Sequence, residues 1–327
     1  MAVNFSCISV NATEVDYQNQ CEAIIMIGVT SYKKGDYRKA REHFKNAYQC
    51  SIDHLGEDDT LAMISLNNLA LVFKVQGRYS EAKILYEKIL KTKIKKLGRE
   101  NPSTLTTMNN LAVLYEAQGL YEKAEKVLTE VKDLSKKVLG NNHPETLLSI
   151  NNLGVLYLRT ERYSEALPLL ETAMKLREQI LGADHPETLE TLNNIGILYL
   201  EQKRYLEAEK SLTRALQQNK KILGEEHPST ITSMNNLATL YTEVGRCNEA
   251  EDLLTNILSL REKIFGAMHP DTLMSTYNLA MLYNFQGKYD KAKPFSSKVL
   301  ETCTEILGDD HPDTKKYRDN LLKHLQK

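Results

Sequence analysis

Histidines recur at a fixed interval of 42 residues along the chain, and histidine is a residue type that can ligate metal ions. The series consists of His143, His185, His227, His269 and His311. Each stands directly before a proline, which fits the first turn of a helix. Packed helices lie ~8–10 Å apart, whereas a metal–nitrogen bond is ~2 Å long. We therefore predict that the histidines satisfy backbone groups at helix starts and form no metal site.

Other residues that carry chemistry in enzymes lack the spacing that catalysis needs. The sequence contains no Gly-rich phosphate loop, no HExxH pattern, and no Ser or Cys in a recognisable nucleophile motif. Carboxylates stand beside lysines, as at Glu207, Glu209 and Lys210, which is typical of a solvated helix face. We predict that the protein is not an enzyme and needs no cofactor.

An Asn-Asn pair shares the 42-residue interval. Its first members are Asn67, Asn109, Asn151, Asn193 and Asn235, and each is followed directly by the second. Two consecutive residues lie ~100° apart on a helix, so both cannot face one groove equally. The first Asn shares a stripe with residues that vary in character, such as Leu148, Val155 and Leu158 around Asn151. Variation around a fixed amide is typical of a binding groove.

We expect the first row of asparagines to bind an extended peptide. A carboxamide offers donors and an acceptor, so it can pair with both the N–H and the C=O of a peptide backbone. Aliphatic neighbours are expected to form pockets for the peptide side chains: Leu71, Val113, Val155, Leu158, Ile197 and Leu200. The second row is expected to make structural hydrogen bonds. The alternative is that the first Asn is structural as well and bonds the adjacent helix.

The elements that position these residues are two helices joined by a tight turn. In one copy of the repeat we predict helices over Pro144–Arg159 and about Ser164–Leu181, followed by Gly182. Glycine occupies most copies of the turn between them, where a positive φ is often required. Pro168 and Pro294 are expected close to the first turn of the second helix, where proline is tolerated. A fixed period of this size predicts stacked helical hairpins.

These residues carry a family resemblance. The series Leu153, Gly154, Tyr157, Tyr163, Ala166, Leu170 and Ala173 resembles the tetratricopeptide repeat pattern, in a form longer than the usual ~34 residues. The recurring LG-x-x-HP-x-T-L is similar to the repeats of kinesin light chains and nephrocystin-3-like proteins. The resemblance implies first helices that line a concave groove, and recognition of extended motifs that are often acidic and aromatic. Few cations stand in the predicted groove, with Lys74 set against Glu116 and Glu190, so the sequence does not favour an acidic peptide.

The predicted organisation is an all-α, right-handed α-solenoid of tetratricopeptide helical hairpins with a C-terminal capping helix. Residues 1–15 are predicted to be a flexible tail, and residues 16–327 a single solenoid. Its seven hairpins are expected at 16–56, 60–98, 102–140, 144–182, 186–224, 228–266 and 270–308, before a cap helix at 312–327. We expect the polar cap to cover apolar residues of the last hairpin, including Leu279 and Leu282.

Composition excludes several partners. The net charge is −1 with both signs mixed, which predicts no nucleic-acid-binding face. The sequence has no apolar run of the ~18 residues that a membrane span needs. Its start lacks a basic segment and an apolar core, so we do not expect a secretory signal. The five cysteines are scattered, which predicts reduced thiols in a cytoplasmic protein.

Together these features predict a non-enzymatic interaction module. We expect it to bind an extended peptide or protein segment in its groove, as an adaptor or scaffold, and to be a monomer or weak homo-oligomer. The alternative is a structural scaffold that assembles through its ends or convex face.

Overall fold

The computed structural model describes residues 14–311 and 314–319, and their regular secondary structure is helical throughout. Residues 314–319 form a last helical segment. Helices α1–α14 pair as successive hairpins, which confirms the all-α prediction. Their bounds are α1 Glu14–Lys33, α2 Tyr37–His54, α3 Thr60–Val75, α4 Tyr79–Leu97, α5 Pro102–Ala117, α6 Tyr121–Leu139, α7 Pro144–Arg159, α8 Tyr163–Leu181, α9 Pro186–Glu201, α10 Tyr205–Leu223, α11 Pro228–Glu243, α12 Cys247–Phe265, α13 Pro270–Phe285 and α14 Tyr289–Leu307.

A polar side chain caps the start of each first helix from α5 to α13. Asn101 Oδ1 accepts from the backbone N–H of Ser103 at 2.9 Å, and His143 Nδ1 accepts from that of Glu145 at 3.2 Å. His185, His227 and His269 make the same bond. The proline that follows has no N–H to leave unsatisfied. The predicted role of the histidines at helix starts is confirmed for these four residues.

The chain reverses inside each hairpin through one residue in the left-handed backbone conformation. Gly119 has φ 72°, while Glu161 and Lys203 adopt φ 59° at the equivalent position. Such a residue lets the chain leave the first helix and begin the second within a few residues. The glycines that follow the second helices also have positive φ, as at Gly182 with φ 96°. The predicted turn chemistry is therefore confirmed.

The expected position of two prolines is wrong. Pro168 and Pro294 lie inside α8 and α14, at the sixth residue of each helix. A proline there removes one helical hydrogen bond. Both helices nevertheless continue to Leu181 and Leu307, because the faces around the prolines pack against neighbouring helices.

Neighbouring hairpins of the second unit share apolar clusters. A typical cluster joins three helices, α7, α8 and α9, and contains Leu158, Ala166, Leu170, Ile195 and Leu198. Glycine permits the close approach of the two helices within a hairpin: a Cβ on Gly154 would lie 2.9 Å from Leu170, and one on Gly196 would lie 2.6 Å from Leu212. The two helices of these hairpins therefore meet at the glycine.

Arginines at the start of second helices join neighbouring hairpins. The Arg162 guanidinium lies 4.1 Å from the centroid of the Tyr157 ring, and its Nη1 is 2.6 Å from Glu125 of the preceding hairpin. Tyr157 also donates its hydroxyl to Glu125 at 2.9 Å. The same contact of an arginine on a tyrosine recurs for Arg204 on Tyr199 and Arg246 on Tyr241.

The chain divides into two compact units, residues 1–92 and 93–327, with the boundary inside α4. In the first unit, Cys21 of α1 and Cys50 of α2 form a disulfide, with the Cα atoms 5.7 Å apart. The prediction of reduced thiols is wrong for this pair, because the antiparallel hairpin brings the two positions together. Disulfides persist in oxidising compartments, so the pair counts against the cytoplasmic location, which stays a prediction.

The last described residues of the second unit, 314–319, are helical. Tyr317 is buried there, with its ring 4.5 Å from the ring of Tyr277. The segment packs in a cluster with Leu273, Val299 and Cys303. The expectation that it covers Leu279 and Leu282 is wrong, because these residues pack toward α11 and α12. Residues 312–313 and 320–327 of the predicted cap lie outside the described residues, as do residues 1–13 of the predicted tail.

Across the described helices, none combines the length and the apolar character needed to cross a membrane.

Candidate functional site

One face of the first helices in the second unit is left partly open to solvent. Every third or fourth residue of α5, α7, α9, α11 and α13 is exposed or half-buried along this stripe. We name it the first-helix face. Its members are Thr106, Asn110, Val113 and Ala117; Leu148, Asn152, Val155 and Arg159; Glu190, Asn194, Ile197 and Glu201; Thr232, Asn236, Thr239 and Glu243; and Met274, Asn278, Met281 and Phe285.

The first-helix face contains a cavity of about 400 Å³ between α7, α9 and α11. Aliphatic side chains, carboxamides, carboxylates and one aromatic ring surround it. The lining residues are Val155, Leu158, Arg159, Glu161, Tyr163, Asn194, Ile197, Glu201, Thr232 and Asn236. Three successive hairpins contribute to it, so its shape depends on how they pack.

The first row of asparagines lies mostly inside the protein rather than on this face. Asn109, Asn151 and Asn193 are 7%, 1% and 5% exposed, while Asn67 and Asn235 are half-buried. The Oδ1 atom of Asn151 accepts from Asn194 Nδ2 of the next hairpin at 3.3 Å. The expectation that these carboxamides face the groove is wrong for the three buried residues. They are buried because the first helix of the next hairpin packs against these side chains.

The second row of asparagines supplies the amides on the first-helix face. Asn194 and Asn236 line the cavity. Asn194 makes a structural hydrogen bond by donating to Asn151, and it is only half-buried, so it also lies at the surface of the cavity. Asn236 makes no hydrogen bond through its carboxamide within the part of the chain that the structure describes.

Of the aliphatic residues predicted to form peptide-binding pockets, some lie on the first-helix face and others in the core. Val113, Val155 and Ile197 lie on the first-helix face, and Val155 and Ile197 line the cavity with Leu158. Leu158 and Leu200 are 8% and 6% exposed, so they belong mainly to the core. In the first unit, Leu71 is half-buried on α3.

Sequence reasoning missed the charged and aromatic part of the cavity. Tyr163 comes from the start of α8, and Glu161 from the turn before it. Burial raises the pKa of the Tyr163 phenol, and the carboxylates of Glu201 and Glu161 raise it further. Arg159 Nε is 2.8 Å from Glu116 of the preceding hairpin. The sequence signal for this part of the cavity was Glu161, which stands in the turn where most copies of the repeat have glycine.

One buried cation lies behind the first-helix face. Arg177 of α8 is completely buried and donates from Nη1 to the carbonyl oxygen of Glu187 and to Thr191 Oγ1, both at 2.8 Å. Burial lowers the pKa of this guanidinium. These bonds join the end of α8 to the start of α9.

The described residues contain no group of three or more His, Cys, Asp or Glu side chains arranged to hold a metal ion.

Comparison with known families gives one match over most of the chain. The model described as "Tetratricopeptide repeat" matches residues 21–95, 103–179, 151–216, 188–263, 243–296 and 271–326. No curated protein matches the chain.

Solved structures with the same architecture include three of different origin. A protein of Podosopora anserina, described as a kinesin light chain with nearly identical TPR-like repeats, is 29% identical with a TM-score of 0.50, covering 62% of this chain and 95% of that one. A Rap protein complexed with competence and sporulation factor is 15% identical with a TM-score of 0.67, covering 91% and 78%. Yeast Tom70 is 17% identical with a TM-score of 0.58, covering 99% and 67%. The last two likenesses concern the fold alone. With the family model matching repeat after repeat, this chain belongs to the tetratricopeptide repeat family.

Proposed function

We propose that the protein is a non-enzymatic interaction module that binds an extended peptide or protein segment along the first-helix face. In this role it acts as an adaptor or scaffold. The tetratricopeptide repeat fold is typical of protein-interaction adaptors, which supports the general class of function.

The observation that carries the proposal is the cavity between α7, α9 and α11. It combines the apolar side chains of Val155 and Ile197 with the carboxamides of Asn194 and Asn236. Binding sites commonly join an apolar lining to a few polar groups that fix orientation. An extended segment exposes backbone N–H and C=O groups, and a carboxamide can satisfy both.

The test is selection of binders from a random peptide display on the immobilised full chain. The blocking variant is Thr232→Trp, because Thr232 is exposed at the cavity. Its matched control is Gln217→Trp, an exposed position on the second helix α10. We expect an enriched peptide consensus whose binding is weakened about tenfold or more by Thr232→Trp and left unchanged by Gln217→Trp.

Failure to enrich any consensus, or equal binding by the two variants, would overturn the proposal. The mass of the free protein is measured over a range of concentrations in parallel. A mass that rises with concentration, without peptide binding, would favour assembly of the chain with itself.

A further inference from the structure

The cavity on the first-helix face has an excess of negative charge. Glu161 and Glu201 line it, and neither makes a side-chain ion pair or hydrogen bond within the described part of the chain. Arg159 is the one cation among its lining residues, and it is already 2.8 Å from Glu116. The two carboxylates therefore have no ion-pair partner among residues 14–311 and 314–319.

Tyr163 adds an aromatic ring beside these carboxylates. It is half-buried and lines the same cavity. The face of an aromatic ring attracts a cation, and a carboxylate binds a guanidinium or ammonium through charge-assisted hydrogen bonds. We call Glu161, Tyr163 and Glu201 the carboxylate–tyrosine trio.

The chain itself shows which group such a trio accepts. Arg162 lies over Tyr157 at 4.1 Å and contacts Glu125 at 2.6 Å. One further example is Arg246, over Tyr241 at 4.0 Å and 2.6 Å from Glu209. In each case a tyrosine and a glutamate hold one arginine. The carboxylate–tyrosine trio has the same acceptors, and no arginine of the described residues pairs with it, since Arg159 pairs with Glu116.

The trio is specific to one copy of the repeat. The turn position of Glu161 is glycine in most copies and Lys203 in the next hairpin. The position of Glu201 is Ala117 in α5, Arg159 in α7, Glu243 in α11 and Phe285 in α13, so it is Glu161 in the turn that sets this copy apart from the next. The site is thus not a general consequence of the repeat pattern.

One amide at the cavity, that of Asn236, has no hydrogen-bond partner among the described residues. In three places the second Asn of one hairpin donates to the first Asn of the hairpin before it. Asn236 does not make this bond, and the corresponding acceptor, Asn193 Oδ1, is buried without a partner. Asn236 lines the cavity, so a ligand there can use its carboxamide.

From this arrangement we infer that the cavity binds the cationic end of a lysine or arginine side chain of the bound segment, with Glu161 and Glu201 pairing with the charge and Tyr163 contacting its face. The inference rests on the proposed function, because it assigns the chemistry of the segment that the first-helix face binds. It predicts a basic residue in the partner rather than the acidic motif implied by the resemblance to kinesin light chains.

The test uses pools of acetylated, amidated nonapeptides in which only the central residue is fixed, as Arg, Lys, Gln or Glu. Their binding to the full chain is measured by fluorescence anisotropy. We expect the Arg and Lys pools to bind about tenfold more tightly than the Glu pool, since two carboxylates and one ring act together. Added salt should reduce this preference because it screens exposed charges.

The variant Glu161→Gln/Glu201→Gln should lose the preference while it still binds the Gln pool. The matched control is Glu171→Gln/Glu262→Gln, which removes the same charge from exposed positions on α8 and α12 and should retain the preference. If the pools bind without preference, or if the first variant keeps the preference, the inference fails while the peptide-binding function stands. If no pool binds, the proposed function fails and the inference with it.

Discussion

Asn152 Nδ2 donates to Asn109 Oδ1 at 3.0 Å, which links two adjacent first helices across a separation of 43 residues. Asn194 and Asn278 make the equivalent bonds to Asn151 and Asn235, at 3.3 and 2.9 Å. The two rows of asparagines are thus partners of each other. In these three pairs the first-row residue accepts and the second-row residue donates, whereas Asn193 and Asn236 do not pair in this way.

This relationship predicts that the two rows respond differently to substitution. Asn151→Ala should lower the free energy of unfolding by ~1 kcal/mol, because it removes a buried acceptor. Asn236→Ala should leave the melting temperature nearly unchanged, because its carboxamide bonds no group among the described residues, and should weaken peptide binding instead. Thermal melts and binding titrations on both variants measure the two effects. Equal loss of stability in both would contradict the assignment.

The sequence predicted the helices well because their start and stop signals are local. His143 and Pro144 mark the start of α7, and Gly182 marks the end of α8, each through a backbone requirement that one residue satisfies. The periodicity also predicted the hairpins, since a first helix that is apolar on most sides must be covered by neighbours.

The orientation of the asparagines could not be predicted in the same way. Relative to Leu148, positions 151 and 152 are displaced by about 60° and 40° around the helix, on opposite sides. Either residue is compatible with the stripe, and only the position of the next helix decides between them. The cavity likewise depends on Glu161 in a turn and Glu201 in the following hairpin, which no local pattern connects.

The buried arginine of α8, Arg177, should be important for stability. Arg177→Ala should cost ~3 kcal/mol, because it empties a fully buried position and removes two 2.8 Å hydrogen bonds to α9. Arg177→Met should cost less, since it retains most of the volume. The control is Arg214→Ala, an exposed residue 3.5 Å from Glu178, which should cost ~0.5 kcal/mol or less. Urea unfolding of the three variants checks the order, and a similar cost for Arg177→Ala and Arg214→Ala would disprove it.

Stability should fall in mild acid because of His269. This residue is 7% exposed and stacks on Phe265 at 4.5 Å. Burial lowers its pKa below the ordinary 6.5, and Arg261 adds to the effect while Asp271 opposes it. The unfolded chain therefore binds the proton more readily. The contribution of the neutral ring is complete above about pH 6.5 and is lost as the pH falls toward the lowered pKa.

The measurement compares melting temperatures at about pH 7.5 and about pH 5.0. His269→Asn should show a smaller decrease than the unaltered protein, since asparagine keeps the helix cap and does not titrate. His227→Asn removes a half-buried ring from an equivalent cap and should not reduce the decrease to the same extent. An identical decrease in the unaltered protein and in His269→Asn would exclude His269 as the cause.

The last prediction concerns the C-terminal end of the second unit. Tyr317 is 5% exposed and packs against Tyr277, Leu273 and Val299. Removing a buried aromatic ring leaves a cavity and exposes the apolar residues that it covered, at a cost of ~3 kcal/mol or more. In a repeat array each unit contacts only its neighbours, so this cost should be felt mainly by the last hairpin. Tyr317→Ala should therefore make α13 and α14 exchange their amide hydrogens faster and leave α7–α9 unaffected. Lys315→Ala, at an exposed position of the same segment, should leave all of these helices unchanged. Unaltered exchange in α13 and α14 of Tyr317→Ala would show that residues 314–319 do not stabilise the end of the array.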